Sequence, residues 1–575
     1  MNNFFATGGP LSHHISHYES RPDQLLMAQK IASFLAAPEG GLAGTPGYSD
    51  VLVVEAETGI GKSLAYLVPA IDSGMRVVVS TATINLQDQL IEKEIPLLEQ
   101  VLGKEIGAVC VKGRQNYLCL HRWYQHRYSP QTSLVGDEEC DKIEHWLEHT
   151  ETGDRAELDW LADKSPLWPR ISAHSYQCLG SDCPEWSNCL INKLRKRAAS
   201  ARILVVNHHL YFSDLALRLK GFGEILPRHE AVIFDEAHHL EGVATTFFGT
   251  SFGQYQVFDL IGDINQQADA DLEVEEGDRI MGTAAGVRQR VEGFVALFPR
   301  QRGRYNLLEF VRANKSWAEE IQLVTDAIKR LAADLEDISR QHESWQILVE
   351  RARELHRNLL FVGLPDPEMQ SSSHVHWYEK RERAVNLSAT PVNVSEDLRA
   401  SLYSTVPKII MTSATLTTGG SFDYIQQRLG LGRDIEALQL KSPFDYRSRT
   451  VLNVPKSGFP EPAAPGYDSA LCEQIEALLG ITRGRALVLF TSFRGMDLVA
   501  EHLTPKLNYP VLVQGSASRT RLLERFRAQT DSVLLAVASF WEGVDIAGES
   551  LSGVIIDKLP FEVPTDPVVQ ARVQA

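Results

Sequence analysis

Two consecutive α/β units with parallel sheets, the first interrupted by two insertions, are what this 575-residue chain predicts. Three observations carry that expectation. Short β-branched runs at 51–54 and 76–79 flank a glycine-rich turn and a helical stretch, which is the layout of a βαβ unit. Similar runs at 203–206, 231–234 and 408–411 each end in polar residues, as strands do at the carboxyl edge of a buried parallel sheet. After a linker at 454–466 rich in Pro and Gly, runs at 486–490, 510–513, 533–538 and 553–557 alternate with helical stretches and make the second unit.

The two insertions differ in composition. One, between the second and third strands, is rich in cysteine. The other, between the fourth and fifth, spans about 140 residues rich in Leu, Glu, Arg and Gln and reads as helical, with Asp269 to Asp278 as a solvated loop. A 44% apolar content suffices for several packed cores. No apolar run approaches the roughly 20 residues that span a bilayer, and the start (His13, His14, His17) lacks a signal-peptide layout, so a cytoplasmic protein is expected. A formal charge of −17 opposes a polyanion at long range. Any nucleic-acid site must then be a local basic channel.

Residues 56–63 read Ala-Glu-Thr-Gly-Ile-Gly-Lys-Ser between a strand and the helical run Leu64 to Ile71, the setting a phosphate-binding loop requires. Gly59 and Gly61 let backbone N–H groups turn inward on a phosphate, Lys62 reaches the β/γ oxygens, and Ser63 holds Mg²⁺. Ala56, Glu57, Thr58 and Ile60 complete the loop, with Ala56 where the general pattern has Gly. Residues 231–238 read Ala-Val-Ile-Phe-Asp-Glu-Ala-His. An apolar strand there delivers Asp235 to the Mg²⁺ shell and Glu236 to orient and deprotonate the attacking water. His238 suits sensing of the nucleotide state better than chemistry, with a plain structural role as the alternative.

Cys119, Cys178, Cys183 and Cys189 have 58, 4 and 5 intervening residues and are bracketed by Lys112-Gly113-Arg114 and the basic run Lys193 to Arg197. Four thiolates suit a cubane iron–sulfur cluster or tetrahedral zinc, and unligated thiols are the third possibility. Zinc sites usually show two tight Cys pairs, whereas this set has a lone first ligand and wide loops. Cys110 reads as core, and neither Cys140 nor Cys472 is expected to be a ligand.

The phosphate loop, the Asp-Glu-Ala-His box, the four-Cys insertion and Ser539 to Asp545 (Ser-Phe-Trp-Glu-Gly-Val-Asp) together resemble the XPD-like iron–sulfur superfamily 2 DNA helicases. Lys112 to Cys119, Asn207-His208-His209-Leu210 and Ser442-Pro443-Phe444-Asp445 are similar to the DinG/YoaA branch. The resemblance implies two RecA-like motor domains clamping ATP, a 4Fe-4S cluster on the four cysteines, and an inserted helical arch. It also implies translocation on single-stranded DNA in the 5′ to 3′ direction with unwinding of duplex or forked DNA, in DNA repair or replication stress. The implied domains are motor domain 1 at 1–108, the cluster insertion at 109–200, motor domain 1 again at 201–245, the arch at 246–385, the end of motor domain 1 at 386–440, and motor domain 2 at 441–575. A non-unwinding DNA-junction sensor or protein-stripping remodeller is the alternative.

Carried over residue by residue, Arg21 and Gln24 match the adenine-recognising motif, and Gly543 and Asp545 belong to the nucleotide cleft. Ser80, Thr81, Thr83 and Gln87 match the motif that grips DNA phosphates, with Phe493, Arg494 and Trp541 facing DNA from the second domain; core packing is the equal reading for Trp541. Thr412, Ser413, Ala414 and Thr415 match the coupling motif and are preferred to the decoy Ser388-Ala389-Thr390. The expected cofactors and partners are ATP, Mg²⁺, the cluster, single-stranded and forked DNA, and unidentified replication or repair proteins, with no membrane and a monomeric state. Relatives carry a further arginine-finger motif beyond Leu559-Pro560-Phe561. The chain stops at Ala575 without it, so it is expected to be C-terminally truncated and impaired in hydrolysis.

Overall fold

Runs of Val, Ile and Leu without alternating polar positions must bury both faces of a strand, and helices on either side of a parallel sheet provide that cover. The computed structural model describes residues 2–574 except 16–17, 39–48, 129–137, 163–164, 175–177, 220–223, 365–372, 433–434, 456–457, 463, 538–539, 542–543, 545 and 547. In chain order its strands are β1 (Asp50–Ala56), β2 (Val77–Thr81), β3 (Ala108–Cys110), β4 (Ile203–Asn207), β5 (Ala231–Asp235), β6 (Thr250–Gly253), β7 (Gly303–Asn306) and β8 (His374–Lys380). They continue with β9 (Val385–Pro391), β10 (Lys408–Ser413), β11 (Glu436–Leu440), β12 (Ala486–Leu489), β13 (Val511–Val513), β14 (Val533–Ala536) and β15 (Gly553–Ile556).

The first sheet is parallel, in the order β11-β1-β10-β5-β2-β4-β3. One face is covered by helices Pro22–Ala36 and Lys62–Asp72, whose Met27, Ile31, Tyr66 and Leu67 pack on Leu52, Val54, Val77 and Ile233. The other face buries Leu210, Phe212, Leu398 and Leu429 against Val53, Val78, Val232 and Ile409. The second unit is a four-stranded parallel sheet, β13-β14-β12-β15. Among the described residues its strand β15 pairs only with β12 and leaves Val554 and Ile556 exposed.

The segment read as purely helical contains, besides four long helices between Gln254 and Gly363, an antiparallel sheet β6-β9-β8-β7. Its short strands, two of them only four residues long, give too little alternation to stand out. Strand β9 continues to Pro391, so this sheet extends past the expected boundary at 385 and takes up the decoy Ser388-Ala389-Thr390. The stretch 269–278, expected as a loop, is instead helical except at Leu272 and Glu273, which join helices Gln254–Asp271 and Val274–Ala296, and Asp271 accepts the indole N–H of Trp345 at 3.0 Å. The cysteine-rich insertion has an apolar core of its own, formed by Leu118, Trp123, Cys140, Ile143, Leu158 and Trp168.

Strand β10 is tied to the first helix by a buried cation. Lys408 Nζ donates to the carbonyls of Phe34 at 2.8 Å and Ala37 at 2.7 Å, where the last turn of helix Pro22–Ala36 leaves acceptors unpaired. Lys408→Met is expected to strand both carbonyls and destabilise the first unit by about 1–3 kcal/mol, read as a lower denaturation midpoint at unchanged m-value. An unchanged midpoint would remove this cation from the account of how the helix is held.

Candidate functional site

The strand register brings the chemistry together. Val54 pairs with Thr412 and Glu55 with Ser413 across β1 and β10, while Thr412 pairs with Asp235 across β10 and β5. Three segments remote in sequence therefore end at one level of the carboxyl edge, where an open parallel sheet presents its ligand site.

The phosphate loop leaves β1 with Gly59 at φ 92° and Gly61 at φ 87°, both left-handed, and helix Lys62–Asp72 follows at once. A Cβ at Gly59 would meet the Phe444 ring at 2.2 Å, and one at Gly61 the Gln24 amide at 2.3 Å. Gln24 Nε2 donates to the Gly61 carbonyl at 3.0 Å, and the Arg21 guanidinium donates to that of Gly59. Both residues are thus at the loop that the sequence assigns to phosphate. On its other side lies the Ser-Pro-Phe-Asp segment: Ser442 Oγ donates to the Thr58 carbonyl at 2.7 Å, its N–H to Glu57 at 3.0 Å, and the Tyr446 hydroxyl lies 2.8 Å from that of Thr58. Sequence reading noted this segment only as a family mark; no local pattern shows that it folds onto the loop.

At the acidic box, Lys62 Nζ lies 3.6 Å from Glu236 Oε1 and 3.4 Å from the Ala56 carbonyl. Ser413 Oγ donates to Glu236 Oε2 at 3.0 Å, and His238 Nδ1 is 2.8 Å from Ser413 Oγ and 3.4 Å from Glu236 Oε2. Glu236 has φ 57°, an unusual backbone for a residue with a side chain, stored where the site needs its direction. Burial and the adjacent Glu236 charge push the Asp235 carboxyl up. For Glu236 burial acts in the same sense, but the His238 hydrogen bond and the Lys62 charge prevail and hold it well below the usual range. The decoy triplet, in the antiparallel sheet, makes none of these contacts.

Two positioning residues escaped sequence reading. Tyr66, buried in the helix after the phosphate loop, donates from its hydroxyl to Asp235 Oδ2 at 3.0 Å. Glu55, at the end of β1, accepts from the N–H groups of Leu416 and Thr417, both at 2.5 Å, from the Thr417 hydroxyl at 2.9 Å and from Gln439 at 2.8 Å. Burial opposes the charge, yet these donors bring its carboxyl below the usual range. Glu55 so fastens the turn that follows Ala414 and Thr415. Tyr66 has the helical spacing of an ordinary core residue, and Glu55 looks like the polar end of a strand.

Several expected strand-gripping side chains point elsewhere. Strand β2 lies between β4 and β5, so Ser80 and Thr81 are buried: Ser80 Oγ is 2.7 Å from His208 Nδ1 and Thr81 Oγ1 donates to the Thr83 carbonyl at 3.0 Å. Burial pushes His208 down to about 3, which keeps it neutral. Gln87 is also buried and donates to the carbonyls of Val111 at 3.2 Å and Val205 at 3.4 Å, so it props β3 and β4 instead of meeting a phosphate. Thr83 is half-buried and caps helix Ile84–Gln89 by accepting the Leu86 N–H. In the second unit Phe493 and Arg494 are exposed at the start of their helix. Trp541 packs on the core around Leu487, Leu534 and Phe540 and donates to the Phe490 carbonyl at 3.2 Å, as core packing required. Gly543 and Asp545 lie outside the described residues.

Cys119, Cys178, Cys183 and Cys189 line one pocket with Arg114, Arg122 and Arg195. Cys119 and Cys189 occupy the positions just before helices Leu120–Arg127 and Leu190–Ser200, where the helix dipole favours an anionic sulfur. Among the described residues the only set of three or more metal-binding side chains with ligand atoms within 4.8 Å of one another is His145, Glu148 and His149. Four thiols in one pocket lined by basic side chains suit an anionic thiolate-bound group.

A phosphate loop, an acidic pair and a coupling strand on one sheet edge, with a second parallel unit behind, define a P-loop nucleotide-driven motor. Residues 43–129 match the DEAD/DEAH box helicase family and residues 475–575 the helicase C-terminal domain. The whole chain is 35% identical to the ATP-dependent DNA helicase YoaA of Haemophilus influenzae, covering 87% of that protein, and 33% identical to its Escherichia coli namesake, again covering 87%. Over 91% of this chain and 81% of the relative, identity to the ATP-dependent helicase DinG of Mycobacterium tuberculosis is 31%. Superposition on a solved XPD helicase gives a TM-score of 0.47 at 16% identity, covering 95% of this chain and 86% of that one. The chain belongs to the YoaA/DinG family of ATP-dependent helicases.

Tyr66→Phe removes one donor to the Asp235 carboxylate and little volume. Nucleotide hydrolysis is expected to fall about tenfold, the equivalent of one hydrogen bond to a charged group, with the fold intact. Undiminished turnover would reduce Tyr66 to packing. Lys62→Ala is expected to abolish hydrolysis in a folded chain, since it removes the charge that stabilises the transferred phosphoryl group. Retained hydrolysis would sink the assignment of the phosphate loop.

Proposed function

We propose that this chain is an ATP-driven DNA helicase that tracks along single-stranded DNA in the 5′ to 3′ direction and opens duplex or forked DNA during repair or replication stress. The observation that carries this reading is the Lys62–Glu236–Ser413–His238 chain of contacts. It joins the phosphate loop, the acidic box and the coupling strand. The relatives' activity on DNA and the family resemblance supply polarity and setting.

In the proposed cycle ATP takes the Lys62 ammonium away from Glu236 and onto its own phosphates. Ser63 and Asp235 hold Mg²⁺, which supplies neutralisation of the phosphoryl charge. Glu236, released from Lys62, accepts the proton of the attacking water, and Ser413 and His238 carry the change toward the rest of the motor. Arg21 and Gln24 recognise the adenine from their place at the loop. Thr83, Phe493 and Arg494 remain as DNA contacts. The buried side chains of Ser80, Thr81 and Gln87 set the shape of the grip segment.

The cysteine pocket is proposed to hold a 4Fe-4S cluster, which supplies rigidity to the insertion where duplex is split, with Cys119, Cys178, Cys183 and Cys189 as ligands. The insertion at 109–200, the arch and the two motor domains are proposed to divide these tasks.

The deciding experiment is strand displacement on a forked duplex with a 5′ tail. Displacement with ATP, faster than with a 3′ tail, is the expected result. ATP hydrolysis stimulated by single strands without displacement would favour a sensor or remodeller. Cys183→Ser is expected to lose the brown absorbance and unwinding while nucleotide binding persists, because the pocket lies outside the cleft. Zinc without iron in anaerobically purified unmutated protein would overturn the cluster.

A further inference from the structure

Lys112 is a charged residue that the motor cycle does not use, and it is buried, with 2% of its side chain exposed. Its ammonium lies 2.6 Å from Asp88 Oδ1 and 2.7 Å from Asp154 Oδ2. Burial alone would lower its pKa, yet the two carboxylates raise it above the usual lysine value. The three residues come from three places. Asp88 stands on helix Ile84–Gln89, one residue after Gln87 and one turn beyond the Thr83 cap. Lys112 follows β3, and Asp154 belongs to the cysteine-rich insertion, where its other oxygen caps the turn Arg155–Glu157 by accepting the Ala156 N–H at 2.9 Å.

Apolar packing covers only part of this seam, where Val111, Tyr117, Leu194 and Ala198 join Leu204 and Val206 of the motor in one core. Leu158 and Leu161 belong to the insertion's own core, and beside the triad is a cavity of about 510 Å³ between Ile91 of the motor and Ala156 of the insertion. Close-packed side chains transmit displacement at most interfaces. At the cavity, beside that packing, the ion triad spans the gap. The backbone of the segment attaches next to it, through the bridge of Tyr117 to Asp154 and the Leu118 N–H to the Gly153 carbonyl at 2.9 Å.

We propose that Lys112 is a positioning residue that locks segment 150–158 of the insertion to the helix following the DNA-gripping turn, so that a single strand held at the motor and the insertion that meets duplex move as one body. This deepens the DNA-helicase reading and rests on it. The coupling acts through a contiguous chain, Thr83 to Asp88 to Lys112 to Asp154.

Hydrogen–deuterium exchange on the full chain, with and without a single-stranded oligonucleotide, tests it without requiring turnover. In the unmutated protein the oligonucleotide is expected to slow exchange both at 81–89 and at 150–158, the second by on the order of fivefold or more. Lys112→Met alone leaves two half-buried carboxylates facing each other and is expected to unfold more easily. The neutral triple variant Lys112→Met, Asp88→Asn, Asp154→Asn removes that penalty, since a buried ionic group replaced as a whole is often tolerated. With its melting temperature and visible absorbance retained, that variant is expected to keep protection at 81–89 and lose it at 150–158. Protection at both segments in the triple variant overturns the coupling. Protection at 81–89 alone in the unmutated chain overturns it too and leaves the DNA reading standing, whereas protection at neither overturns both.

Discussion

The parallel register of β1, β10 and β5 is the constraint from which the rest of the motor follows. In a parallel ladder every strand ends on the same side, so aligning Glu55 with Ser413 and Thr412 with Asp235 sets loop, coupling strand and acidic box at one depth. A register slip would reverse the face each side chain takes and part Ser413 from Glu236. The buried faces of the sheet make such a slip costly, because Leu52, Ile233, Ile409 and Ile410 all sit in closed cores.

On that frame Glu236 sits between two sets of partners. It is held by Lys62 on one side and by Ser413 and His238 on the other, and these contacts keep it ionised before any nucleotide arrives. The strained backbone of Glu236 aims its carboxylate between the two.

Polar groups buried at the seams contrast with the apolar interiors. Lys408 ties β10 to the first helix, Glu55 fastens the turn after the coupling strand, and Lys112 joins motor to insertion. Such contacts demand defined geometry, since a buried charge that loses its partner is penalised heavily. They suit joints that must keep register while nearby parts move. The apolar cores of the first unit, the second unit, the insertion and the antiparallel sheet are separate clusters, so polar ties carry part of what passes between them.

Much of this protein was legible before any coordinates. Its α/β class was written in β-branched runs long enough to need cover on both faces, and the phosphate loop in a glycine pattern that only left-handed backbone explains. The acidic box was likewise local, two adjacent carboxyl residues at the end of an apolar run. What stayed hidden depends on which face a residue turns toward neighbours distant in sequence. Gln87 and Ser80 look like donors to DNA but are buried, because β2 lies between two other strands and the next helix packs on β3 and β4. The antiparallel sheet was missed because two of its strands are only four residues long and its edge strand β6 pairs with a partner more than a hundred residues away, as Ser251 does with Ser388. Sequence by itself determined the chemistry, since spacing along the chain sets which groups a short turn can bring together. Only the tertiary structure decided which groups face the cleft and which hold the frame, because pairing and burial are settled between segments that share no local pattern.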